Sequence, residues 1–378
     1  MLKSMNRHRG RLKSFALNAT IAVIATACGL ALGEGLVRLL FKDGATLFPR
    51  YHTDYQYGRY LLRGIRPNAE FWHTSVDGAW KFTTNSKGFR NSAEFPYAKP
   101  QGTLRILSLG DSHTQGYEVR QDYTYSAATE RYLRGRGVSA EAINAGVSGY
   151  STAEALAYLE GEGHLFQPDV VVLGFYANDF EDNLKAGLFA LDSQNELKEQ
   201  KYEHIPGVRI QNVIYSVPPV RWLSENSYLY SLVFNGVWNY FKQNLRDSAV
   251  HGAHASELEY AVPTGNGPSE AQVMLAARLI ERMHRFCSDR GIRLMVVDIP
   301  RRTGAHDYSS SFPPALRMRL ESAGIEVLGS ESLLAPFRGI AEFHKPHGHQ
   351  HISEFTHVLI GAEIGRRLAG QPVAVTHR

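Results

Sequence analysis

Leu104-Arg105-Ile106-Leu107-Ser108-Leu109-Gly110-Asp111-Ser112-His113-Thr114 decides the fold of this chain. Its first six residues read as a strand buried on both faces, the kind that belongs to a parallel sheet covered by helices. Ser112 then stands at a strand-to-helix turn, near a helix N-terminus whose free backbone N–H groups favour developing negative charge. A hydroxyl so placed suits acyl transfer. Gly-Asp-Ser alone is weak evidence, because all three residues are common in ordinary turns for conformational reasons.

Two more stretches repeat the arrangement. Asn144-Ala145-Gly146-Val147-Ser148-Gly149-Tyr150 follows the next candidate strand, and Tyr176-Ala177-Asn178-Asp179 follows the third, Asp169-Val170-Val171-Val172-Leu173-Gly174-Phe175. In an open parallel sheet such strand ends converge on one crevice, where ligands bind. Near the C-terminus His347-Gly348-His349-Gln350-His351-Ile352-Ser353 precedes a helical stretch for which Ser353 is a suitable N-cap.

Taken together these four blocks resemble the SGNH hydrolases, the GDSL esterase/lipase superfamily, over roughly residues 102–370. The resemblance implies a three-layer α/β/α sandwich around a parallel, flavodoxin-like sheet. It also implies Ser112 as nucleophile and first oxyanion N–H donor, Gly149 as second N–H donor, Asn178 as side-chain donor and His351 as base. The chemistry asks for these residue types independently. A serine hydroxyl attacks well only when a neighbouring base takes its proton, and a neutral imidazole does so near pH 7. Donors preorganised around the resulting oxyanion are worth about two to three orders of magnitude each in turnover. Alone, Gly149 reads more readily as a turn residue and Asn178-Asp179 as a helix cap. Asp111 and Asp179 are expected to hold loops by accepting backbone N–H groups, in supporting roles.

The last block departs from the family pattern. Where an aspartate usually precedes the histidine by two or three residues, His349 and Gly348 stand instead. Three explanations are open: a Ser-His dyad whose His351 is oriented by a backbone carbonyl or His349, a remote carboxylate such as Asp298 or Glu342, or a feeble site. Histidines 344, 347, 349, 351 and 357 raise a metal reading, but they lack cysteine partners and a His-Glu-x-x-His helix. The expectation is a solvated, histidine-rich loop with no metal and no cofactor. Gly135-Arg136-Gly137 follows a helix and precedes a strand, the reverse of a dinucleotide loop, and reads as a helix-ending turn. Neither Ser112 nor Ser148 lies in Gly-x-Ser-x-Gly.

At the other end, Phe15 to Gly33 is free of charge and, as a helix, nearly matches a hydrocarbon core of roughly 30 Å. Lys3, Arg7, Arg9, Arg11 and Lys13 precede it with no acidic residue among the first fourteen, which keeps that end cytoplasmic under the positive-inside rule. The expected organisation is therefore a cytoplasmic basic tail (1–14), a single-pass anchor and interfacial segment (15–41) in the lipid bilayer of the inner membrane, an aromatic-rich extension (42–101), and a hydrolase domain (102–372) in the periplasm or outside the cell. A cleaved signal peptide is the rival to the anchor, and Ala25-Thr26-Ala27-Cys28 resembles a lipoprotein box. Setting aside the five basic tail residues lowers the 41 Lys and Arg to 36, against 37 Asp and Glu, so the body is near neutral and nucleic acid is not an expected partner. Cys28 and Cys287 are not expected to pair.

Thr84-Asn85-Ser86-Lys87-Gly88-Phe89-Arg90, in the extension, resembles a stretch of membrane-tethered bacterial members of the family and reads as part of a β-rich flap. An insertion, residues 183–265, interrupts the strand-helix alternation. Its Tyr215, Trp222, Tyr228, Tyr230, Phe234, Trp238, Tyr240 and Phe241 either line a glycan- or acyl-binding groove or pack as an aromatic helix on the sheet. The functional expectation is a serine esterase with an acyl-Ser112 intermediate, acting on an acyl ester of a carbohydrate. O-acyl transfer to a glycan and a catalytically weak glycan-binding protein are the alternatives.

Overall fold

In the computed structural model, which describes residues 2–41, 46–47, 49, 51–200, 213–237, 267–347 and 351–370, the chain opens with a long helix, α1 (Leu2–Leu40). Lys13–Leu40 within it is long and apolar enough to cross a membrane, and most of its apolar side chains are exposed, Val37 being buried. Two antiparallel hairpins follow, β1 (His52–Tyr57) with β2 (Tyr60–Ile65), then β3 (Glu70–Ser75) with β4 (Gly78–Thr83). Along the rest of the chain come β5 (Leu104–Leu109), β6 (Ala140–Asn144), β7 (Val170–Phe175), the ribbon of β8 (Phe189–Leu191) and β9 (Leu197–Glu199), β10 (Arg293–Asp298), the ribbon of β11 (Arg301–Gly304) and β12 (Asp307–Ser309), and β13 (Glu326–Leu328). Helices alternate with them: α2 (Ser112–Gln115), α3 (Tyr125–Arg134), α4 (Thr152–Gly161), α5 (Asp179–Ala186), α6 (Pro218–Asn226), α7 (Glu270–Ser288), α8 (Pro314–Ser322), α9 (Ser330–Leu334) and α10 (Glu354–Ala369).

β13, β10, β7, β5 and β6 lie side by side, all parallel, in that order. Counted along the chain this is the flavodoxin-like order, and the point where it reverses lies between β5 and β7. Strand periodicity distributes the core. Leu107, Leu109, Val171, Leu173, Phe175, Leu294 and Val296 face α4, α7 and α8, while Ile106, Val170, Val172, Met295 and Val297 face α3 and α10. Two apolar faces on every strand require helices on both sides, which makes the sandwich three layers deep.

Caps set the helix limits. Ser269 and Gln272 form a capping box at the start of α7, Ser353 accepts from Thr356 N at the start of α10, and α3 ends at Gly135 with Gly137 in the left-handed region. The hairpins extend the sandwich: Tyr57, Tyr60, Leu62, Phe71 and Phe82 share one core with α4, and the Tyr57 ring meets Tyr158 edge-on with centroids 4.8 Å apart. Insertion aromatics pack elsewhere than expected. Tyr228 clusters with Val37 and Leu47, away from the sheet, and Trp222 is exposed, because α6 and the 228–237 helix lie against α1 and β3. Trp238, Tyr240 and Phe241 fall outside the described residues. Cys28 and Cys287 are both free thiols, the second fully buried.

α10 crosses α3 at Gly361, where a Cβ would sit 2.5 Å from both Ala128 Cβ and Tyr125 O. Gly361→Ala is expected to force the two helices apart, costing about 1–3 kcal/mol and several degrees of Tm in thermal unfolding.

Candidate active site

Leu109 ends β5 and Gly110 turns the chain with φ +142, in a gap where a Cβ would strike Thr114 Oγ1 and Gly174 O. Only glycine fits so tight a passage. Asp111 Oδ1 then accepts from His113 N at 2.8 Å and caps α2, placing Ser112 as its first residue with a backbone N–H that has no intrahelical acceptor. From below, the buried Arg90 guanidinium holds the chain leaving this helix. It donates to Gln115 O at 3.0 Å, to Val119 O at 2.5 Å and to Gly116 O, and lies 4.5 Å over the Phe82 ring. Asn85 shapes the loop that delivers it, accepting on Oδ1 from Lys87 N and Phe89 N and donating to Ala93 O. Burial pulls the Arg90 guanidinium down to about 10.

His351 comes from the opposite end of the sequence. Its loop is pinned by an antiparallel pair of backbone bonds, Lys345 N to His351 O and Ser353 N to Phe343 O, both 2.8 Å. Ile352 N also points at His113 Nδ1 at 3.4 Å, tying the loop to the residue after the serine. The imidazole stacks on Tyr117, with centroids 4.4 Å apart and planes 27° apart. His351 Nε2 lies 2.8 Å from Ser112 Oγ, and both residues are buried to within 9 % of full exclusion from solvent. Hydrogen-bond donation from the hydroxyl to Nε2 requires the tautomer with its proton on Nδ1.

The loops after β6 and β7 close on the same turn. Val147 N donates to Gly110 O at 3.0 Å, and a Cβ on Gly146 would meet Gln115 N. Gly149 has φ +79, and its carbonyl accepts from Arg63 of β2, whose guanidinium covers the position a Cβ would take. Asn178 Nδ2 donates to Asp182 Oδ2 at 2.9 Å and to Asp111 Oδ2 at 3.4 Å. Both amide hydrogens thus face carboxylates, the contact to Asp111 being the longer. Asp179 accepts from Thr152 N, Thr152 Oγ1 and Tyr176 N, fastening the β6 loop to the β7 loop.

A cluster of acids lies behind the serine. Burial pushes Asp111 up to about 7, and desolvation also lifts Asp179 well above its ordinary value and raises Asp182 and Glu154 from theirs. Lys185, 3.2 Å from Asp182, and Arg63, 3.9 Å from Glu154, supply the positive charge around them.

The two remote carboxylates considered for the histidine block are placed differently from one another. Both oxygens of Asp298 are engaged by Ser310, Ser311 and Ser330, with Arg317 beside them, and Glu342 is exposed while His351 is buried. His349 lies outside the described residues. The histidines are also less solvated than expected, since burial favoured separate partners. His344 bonds Pro300 O at 2.9 Å, His357 Nδ1 accepts from Tyr125 N at 3.2 Å, and of the four that are described only His347, paired with Asp77, is exposed. Desolvation pulls His344 down to about 4 and His357 to about 3, and pulls His113 well below its usual range. Among the described residues no group of three or more His, Cys, Asp or Glu is arranged to hold a metal ion.

Sequence reading missed Arg63, Arg90, His113 and Tyr117. The Asn85-to-Arg90 motif was the available signal for Arg90. Nothing in the local pattern marked Arg63 or Tyr117, whose partners are distant in sequence.

A family model, the GDSL-like lipase/acylhydrolase family, matches residues 108–295, spanning the Ser112, Gly149 and Asn178 blocks and ending before His351. Among solved structures, the lipase/acylhydrolase from Enterococcus faecalis is similar at 16 % identity over 71 % of this chain and 96 % of that one, with a TM-score of 0.40. A catalytic mutant of an acetylxylan esterase from Geobacillus stearothermophilus is similar at 12 % identity over 73 % and 98 %, with a TM-score of 0.37. Comparison with the curated proteins gives no match.

Asp111 carries a pH signature. Because its folded pKa of about 7 exceeds its ordinary 3.8, the folded state holds the extra proton between these values. Stability from this group is fully present below about pH 4 and is lost as pH rises through 7. Asp111→Asn is expected to flatten that slope, gaining on the native chain by a few kcal/mol between pH 4 and 8, as measured by chemical denaturation across pH.

Proposed function

Since the chain belongs to the GDSL-like lipase/acylhydrolase family and is an ester-bond hydrolase, we propose that Ser112 and His351 form its catalytic pair and act on a short acyl ester of a carbohydrate. The 2.8 Å contact between Ser112 Oγ and His351 Nε2 carries this reading. As the hydroxyl attacks the ester carbonyl, its proton passes to Nε2 and the carbonyl oxygen takes the negative charge. The Ser112 and Gly149 N–H groups and Asn178 Nδ2 receive that charge. Collapse of the intermediate expels the alcohol, which takes the proton from His351 Nε2 and leaves an acyl group on Ser112 Oγ. Water, activated by the same imidazole, then releases the carboxylic acid and restores the serine.

Packing and backbone bonds orient His351 in a Ser-His dyad. Tyr117 fixes its plane, and the paired bonds at Lys345 and Ser353 fix its loop. Steric access supports a small acyl group, because Ser112 and His351 are each less than a tenth exposed. We assign Lys13–Leu40 as an uncleaved anchor that holds the hydrolase body outside the cytoplasmic membrane, supported by its apolar composition and the basic tail before it.

Chromogenic acetyl ester hydrolysis, with and without an oligosaccharide acceptor, tests the proposal. Ser112→Ala and His351→Ala are each expected to lower kcat/KM by at least about 10³-fold; equal rates for variants and native chain would reject the pair. Asn178→Ala is expected to lower kcat about 10²-fold with little change in KM. Acetylated oligosaccharide appearing in place of free acetate would assign transfer instead of hydrolysis.

A further inference from the structure

We propose that residues 213–237 form a second membrane contact, a lipid-facing foot docked on the outer end of α1; the inference rests on the reading of α1 as an anchor. Glu34 is the starting point. A carboxylate in an apolar span is costly unless satisfied, and here it is satisfied by the insertion. It accepts from Ser227 Oγ at 2.7 Å, Tyr228 N at 3.0 Å, Leu229 N at 2.9 Å and Arg38 Nε at 2.7 Å. Glu34 therefore caps the 228–237 helix from another element. Arg38 completes the joint, donating to Asn226 O at 2.8 Å and lying 5.0 Å over the Tyr228 ring. Around these charges Val37, Leu47 and Tyr228 form a small apolar core, and Gly33 passes so close to Leu229 that a Cβ would lie 3.1 Å from its Cδ2.

Away from this joint the segment turns apolar side chains outward. Val213, Val217, Trp222, Leu232, Val233 and Val237 are all 43 % exposed or more, beside the exposed Leu36, Leu39 and Leu40 of α1. From Asn226 through Phe241 the sequence has no Asp, Glu, Lys or Arg and is rich in tyrosine, tryptophan and phenylalanine. That composition belongs to the boundary between headgroups and acyl chains, where an interfacial helix sinks about 5–10 Å. A patch of this kind facing water is an association liability, and α1 brings a bilayer to its edge. Lipid is the occupant for which both the location and the chemistry are on hand.

The foot is also coupled to the candidate site. Arg221 of α6 donates to Glu70 O of β3 at 2.9 Å, and His73 of the same strand packs on Tyr117 at 4.3 Å, the ring that stacks on His351. Two contacts, anchor and foot, fix both the height and the tilt of the esterase body over the membrane.

Full-length protein in phosphatidylcholine vesicles, labelled with NBD at Val233→Cys in a Cys28→Ala background, tests the foot. Cys287 is buried and does not compete for label. Met318→Cys, at an exposed position on α8, serves as the aqueous control. NBD at 233 is expected to be blue-shifted and quenched by 5-doxyl lipid, with iodide quenching several-fold weaker than at 318. If the protein floats with the vesicles while 233 responds to iodide as 318 does, the foot falls and the anchor stands. Failure to float overturns both. Shielding of 233 from both quenchers would assign the face to a protein contact and reject lipid.

Discussion

One hydrogen bond, between a hydroxyl and an imidazole 239 residues apart, is what the surrounding structure is arranged to make. Its two ends are set by different means. Ser112 is positioned by a strand end, a glycine with positive φ and an aspartate cap, so its place follows from the β5 backbone. His351 sits in a loop, and there the backbone pairing with residues 343–345, the stack on Tyr117 and the His113 contact restrict it. Burial of the pair adds to this. With water largely excluded, electrostatic interactions inside the site are stronger, and burial shifts the neighbouring acids and histidines toward their neutral forms because charging them is expensive.

The hairpin extension is part of that arrangement. Arg90 reaches under the serine turn and bonds three carbonyls, a geometry that a forked guanidinium meets and an ammonium does not. Arg63 bonds the Gly149 carbonyl, and the N–H of the same peptide, Tyr150 N, donates to Val147 O at 2.9 Å, so both ends of that peptide are held. His73 buttresses Tyr117 from the far side. The catalytic body and the segment before it therefore share one core and one site.

Local chemistry explains why the sheet was legible in the sequence. β7 is an unbroken apolar run and β5 and β10 are mostly apolar, β5, β6 and β7 each lead into a polar cluster, and Ser269, Ser353 and Pro314 mark helix starts by capping or by a fixed φ. The Ser112, Gly149 and Asn178 blocks were legible for the same reason, being tied to strand ends. What was not legible depends on distant partners. The aromatic stretch around Tyr228 looked like core or groove, and only its docking on Glu34 and Val37 shows which surface it meets. Asp298 looked available to a histidine, yet three serines and an arginine from later elements occupy it.

Active-site labelling tests the central claim most directly: the folded chain is treated with a fluorophosphonate, and the modified peptide is identified by mass spectrometry. The account predicts a single adduct on Ser112 that forms orders of magnitude more slowly in His351→Ala, because the imidazole is what makes that hydroxyl nucleophilic. An unlabelled folded protein, a different labelled residue, or labelling of Ser112 indifferent to His351 would contradict it.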